Sequence, residues 1–73
     1  MVKEHDRVVL VSDVRSESLK AGDVGTVVHV YPGGRAFEVE FSTLDGHTIA
    51  LVTLQPSQLR PVTRRDMTHS REM

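Results

Sequence analysis

The side chains able to do chemistry in this 73-residue chain are few and scattered. The four histidines, His5, His29, His47 and His69, have neither the one-turn nor the hairpin spacing with which ligands usually converge on a metal. His29, His47 and Asp45 are the set that folding could bring together. The chain has no cysteine, which removes disulfides, thiolate nucleophiles and cysteine zinc sites together. Serine, histidine and aspartate occur as types, but no nucleophile elbow or paired constellation accompanies them. Gly22, Gly25, Gly33, Gly34 and Gly46 form no phosphate-cradling loop before a helix; turn geometry accounts for them better. A chain this short also has little volume left for a water-excluding pocket once its core is filled. The expectation is a protein with no catalytic residues, no metal and no cofactor.

Binding chemistry is the other possibility. Nine basic and ten acidic residues give a net charge of −1. Residues 1–62 hold six basic against eight acidic residues, a charge of −2, and residues 63–73 hold three against two, a charge of +1. The basic cluster is therefore Arg64, Arg65 and Arg71, the candidate contacts to a phosphate backbone. Tyr31 is the one aromatic expected at the surface, whereas a base-stacking platform uses two or three. Nucleic-acid binding is thus the weaker alternative.

The elements that must position these residues read as β structure. Asp6–Val11 is a short β-branched run, and Ser12–Gly22 is a charged loop pinned by Val14 and Leu19. Gly22 and Gly25 let the backbone bend and pack closely as the next strand, Val24–Tyr31, begins. There Val24, Val28 and Val30 share one face, and Val27, His29 and Tyr31 the other. Tyr31-Pro32-Gly33-Gly34 is a turn with proline at its second position and glycine where φ is positive. Ala36–Phe41 alternates, with Phe37, Val39 and Phe41 facing in and Glu38 and Glu40 facing water.

Asp45-Gly46 suits a tight hairpin into Thr48–Leu54, a strand apolar on both faces. Gln55–Gln58 reads as a single 3₁₀ turn before a closing strand Leu59–Val62, where Pro61 belongs at an edge. The fold class expected is all-β: a small five-stranded SH3-like barrel over residues 1–62, with the 3₁₀ turn before its last strand. Residues 63–73 form a C-terminal tail, solvated or starting a short helix at Thr63-Arg64-Arg65-Asp66, with Met67 and Met73 its apolar residues.

Lys20-Ala21-Gly22-Asp23-Val24-Gly25-Thr26-Val27-Val28-His29-Val30 is similar to the loop-and-strand segment of KOW-type domains of ribosomal and transcription proteins. That likeness is what brings in nucleic-acid binding. More closely, Asp6-Arg7-Val8-Val9-Leu10, Gly22–Val28, Phe37–Phe41 and the stretch from Thr48-Ile49-Ala50-Leu51 to Leu59-Arg60-Pro61 resemble, in order, a family of short bacterial proteins described as a domain of unknown function. The resemblance spans roughly residues 5 to 62; it implies a fold and brings no catalytic residues.

With valine on both faces of two strands, Val9, Val11, Val27, Tyr31, Ala50 and Val52 are the candidate outward patch. The expected function is a non-catalytic protein-interaction module, self-associating as a dimer or serving as an accessory, antitoxin-like partner. No apolar run reaches the length of a membrane span, and the N-terminus lacks a signal-peptide core, so a cytoplasmic location without membrane association is expected.

Overall fold

The computed structural model describes residues 2–42 and 47–63. It contains five strands: β1 (Arg7–Leu10), β2 (Val24–Val30), β3 (Phe37–Ser42), β4 (Thr48–Leu54) and β5 (Leu59–Pro61). Short 3₁₀ turns lie at Arg15–Glu17, Pro32–Gly34 and Pro56–Gln58, the last one directly before β5 as expected. All pairings are antiparallel, and the sheet order is β4-β3-β2-β1-β5. The all-β, five-stranded expectation holds. The ring of hydrogen bonds is not closed, however, because β4 and β5 are the two outer strands and do not pair with each other. The expected Asp45-Gly46 hairpin and the tail from Arg64 onward lie outside the described residues. No described helix is long and apolar enough to cross a membrane.

One core holds the sheet together. Val8, Leu10, Val27, Phe37, Val39, Phe41, Ala50, Leu54 and Leu59 come from all five strands, and Leu19 joins them from the first loop. Removing each large side chain from water contributes roughly 1.5–3 kcal/mol, so this cluster is the main stabilising term. The loop is pinned as the sequence suggested. Val14 and Leu19 form an isolated bridge, with Leu19 buried and Val14 packed on the core.

Two glycines do what the turn into β2 requires. Gly22 has φ +98°, and a Cβ on Gly25 would lie 2.7 Å from Cγ1 of Val39 and 2.9 Å from the carbonyl oxygen of Glu40. The Tyr31–Gly34 turn also forms as expected: Gly34 N–H donates to Tyr31 O at 3.0 Å and Gly33 has φ +73°.

The face assignment of β2 is corrected by a bulge. Val27 pairs with Val39 and His29 with Glu38, so Val28 is an extra residue without a partner. A one-residue slip reverses which side chains face in. Val27 and Val30 therefore both lie on the core side, while Val24 and Val28 are exposed. Strand β4 carries a second irregularity. Ala50 pairs with Phe41 but Thr48 with Ser42, which leaves Ile49 as the extra residue. From Ala50 onward the alternation is regular, with Ala50, Val52 and Leu54 on the core side and Leu51 and Thr53 outside.

Candidate interaction site

The outward patch expected from sequence is not assembled. Val27 is 0% exposed, Val9 4% and Ala50 7%. Val27 and Ala50 belong to the core through the bulge and the regular phase of β4 just described. Val9 lies outside the core cluster, between Val24 and Arg60 in the cross-strand register, and is covered there. Val52 is half-buried against the core. Val11 and Tyr31 are exposed, but they sit at opposite ends of the sheet. Val11 N–H reaches Gln58 O beside the start of β2, whereas Tyr31 N–H reaches Ala36 O beyond its end. Arg64, Arg65 and Arg71, the candidate nucleic-acid contacts, lie outside the described residues, as does Asp45.

The outer face of the sheet carries a polar cluster instead. Glu38 Oε1 accepts hydrogen bonds from the Tyr31 hydroxyl (3.1 Å) and the Thr53 hydroxyl (2.6 Å), and Glu40 Oε2 accepts one from Thr48 Oγ1 (2.5 Å). His29 meets Tyr31 edge to face with ring centroids 4.7 Å apart. Its Nδ1 lies 3.8 Å from Glu4 Oε2, with both side chains about half exposed. These contacts tie neighbouring strands together across the register. No group of three potential metal ligands occurs among the described residues. On the opposite side, Val2, Val30, Phe37, Pro56, Leu59 and Pro61 line an open apolar groove of about 640 Å³.

The distinctive feature is the contrast between the two outer edges. Tyr31 N–H donates to Ala36 O, so the backbone of Ala36, Glu38 and Glu40 points to β2, and that of Phe37, Val39 and Phe41 points to β4. The β4 partners of those three, Leu54, Val52 and Ala50, hydrogen bond inward to β3. The N–H and C=O groups of Leu51 and Thr53 therefore point away from the sheet, with no partner among the described residues. Strand β4, Thr-Ile-Ala-Leu-Val-Thr-Leu, holds no charge, no proline and no glycine, and its Leu51 side chain is 56% exposed.

Edge strands usually carry such blocking residues. Strand β5 does. Val11 N–H to Gln58 O and Val62 N–H to Arg7 O place residues 58, 60 and 62 toward β1, so Leu59 and Pro61 face outward. Leu59 N–H is already donated to Pro56 O, and Pro61 has none. One edge is chemically closed and the other open. The lack of charge in residues 48–54 is legible in the sequence; which strand is outermost is not.

Residues 4–61 match the family model described as Domain of unknown function (DUF4926), and the chain belongs to that family. No curated protein and no solved structure is significantly similar to it.

Proposed function

We propose that this family member is a non-catalytic protein-interaction module that takes up an extended strand on the open edge of β4. The observation that carries this reading is the pair of outward N–H and C=O groups at Leu51 and Thr53 in a strand without charge or proline. Main-chain hydrogen bonds of this kind supply affinity in strand addition, and side chains at alternate positions supply selectivity. The outer face supports the same reading. Its carboxylates are occupied by threonine and tyrosine hydroxyls, which suits a rigid docking ledge better than acid–base work.

The test compares the immobilised chain with its Leu51→Lys variant, each challenged with the same cell extract and with total RNA. Charge at an exposed edge position blocks strand addition and leaves the core alone. Proteins retained by the parent chain and lost with Leu51→Lys would support the reading. Retention indifferent to Leu51→Lys, or retention of RNA alone, would overturn it.

A further inference from the structure

The edge that this reading rests on also specifies an occupant. We infer that β4 pairs with β4 of a second copy of this chain, antiparallel, about a two-fold axis at Val52. Three constraints select this arrangement. Head-to-tail joining of β4 to β5 of another copy fails because the outward side of β5 offers no free N–H, Leu59 being bonded to Pro56 and Pro61 lacking a donor. The pairing must also use the outward groups of Leu51 and Thr53. Finally, it must fit between the extra residue Ile49 on one side and Gln55 on the other, whose N–H is already donated to Gln58 Oε1, which leaves Ala50–Leu54 as the regular segment.

The centre of that segment is Val52. Antiparallel pairing about it sets Leu51 opposite Thr53 of the second copy, and Thr53 opposite its Leu51. Both are hydrogen-bonded pairs, so all four N–H and all four C=O groups are used. Val52 meets Val52 of the second copy, and Ala50 meets its Leu54, a small residue against a large one. Core-side residues stay with core-side residues, so the two inner faces run on without a break.

Electrostatics do not oppose the contact. The strand is uncharged, and Glu38 and Glu40 lie on β3, three strand spacings or about 14 Å from their copies. That exceeds the screening length at physiological salt. The contact is isologous and closes as a dimer. Five residues per copy bury less than the roughly 1,200 Å² of a standard stable interface, so the dimer dissociates on dilution.

The chain has no cysteine, so a single introduced thiol reports only on contacts between copies. At the two-fold axis the Val52 Cα atoms would be about 4.5 Å apart, within disulfide range, whereas two Leu51 residues would be beyond about 7 Å. Light scattering on the full chain should show the mass rising with concentration from 8.1 kDa toward twice that value. Mild oxidation should then cross-link Val52→Cys and not Leu51→Cys, and Leu51→Lys should abolish the rise. Faster cross-linking of Leu51→Cys, or a mass rise that survives Leu51→Lys, would overturn the inference. So would a constant 8.1 kDa with no cross-link at either position. In that last case, fast amide exchange at Leu51 and Thr53 would leave the edge available to another protein. Slow exchange there would sink the edge reading as well.

Discussion

Leu59 gives its backbone N–H to the carbonyl of Pro56, and this bond, together with Pro61, closes the β5 edge of the sheet. It removes the only outward donor β5 has, because Pro61 offers none. With that edge closed, the unpaired backbone groups of the described sheet concentrate at Leu51 and Thr53 on β4. The turn that ends in this bond is itself held by reciprocal hydrogen bonds between Gln55 and Gln58.

Replacing Pro61 by valine should reopen the β5 edge. The new N–H faces away from β1 and has no partner among the described residues. A chain with two usable edges can extend beyond a dimer. Light scattering should find species larger than two copies in Pro61→Val, with the thermal midpoint little changed.

Val27→Asp tests the corrected face of β2. A carboxylate there would replace a fully buried side chain with a charge that has no partner. Its cost is comparable to the whole stability of a domain this small, about 3–5 kcal/mol. The variant should show no cooperative unfolding transition by circular dichroism. Val24→Asp, three residues away and exposed, should cost no more than about 1 kcal/mol and keep a cooperative transition.

That contrast marks where the sequence can and cannot be read. Phe37, Val39 and Phe41 alternate strictly with Glu38 and Glu40, so their inward side is plain from the pattern of residue types. The strands, the proline-glycine turn and the 3₁₀ turn at Pro56 are legible for a similar reason: residue type alone fixes local geometry there. Val27 is not, because the bulge at Val28 shifts the phase and depends on how β2 meets β3. Ala50 and Val52 meet the same limit, since a strand with apolar residues on both faces carries no label for its core side. Nothing in the residue types says that β4 and β5 end at opposite edges.

Gly25→Ala should cost more than Gly22→Ala, for different reasons. The added methyl at Gly25 would lie 2.7–2.9 Å from Val39, Phe41 and Glu40, so packing must give way, at about 1–3 kcal/mol. At Gly22 there is open space, and the penalty is the positive φ alone, about 1 kcal/mol. Urea unfolding of the two variants against the parent measures the difference.

The cluster around Glu38 should behave as a strand tie. Tyr31→Phe and Thr53→Val each remove one hydroxyl from Glu38 Oε1. Each should cost about 0.5–1 kcal/mol, and a double-mutant cycle should give coupling below about 1 kcal/mol. Destabilisation several times larger would mean the outer face has a structural weight that these exposed contacts do not imply.

Amide hydrogen exchange on the full-length chain, followed by NMR at high dilution and again at high concentration, tests the open β4 edge most directly. In dilute solution Leu51 and Thr53 should exchange fast while Val52 and Leu54, bonded to β3, exchange slowly. At high concentration the protection of Leu51 and Thr53 should rise toward that of their neighbours as the second copy docks. Equal, slow exchange of all four amides in the dilute monomer would contradict the account, because it would mean the edge is already covered.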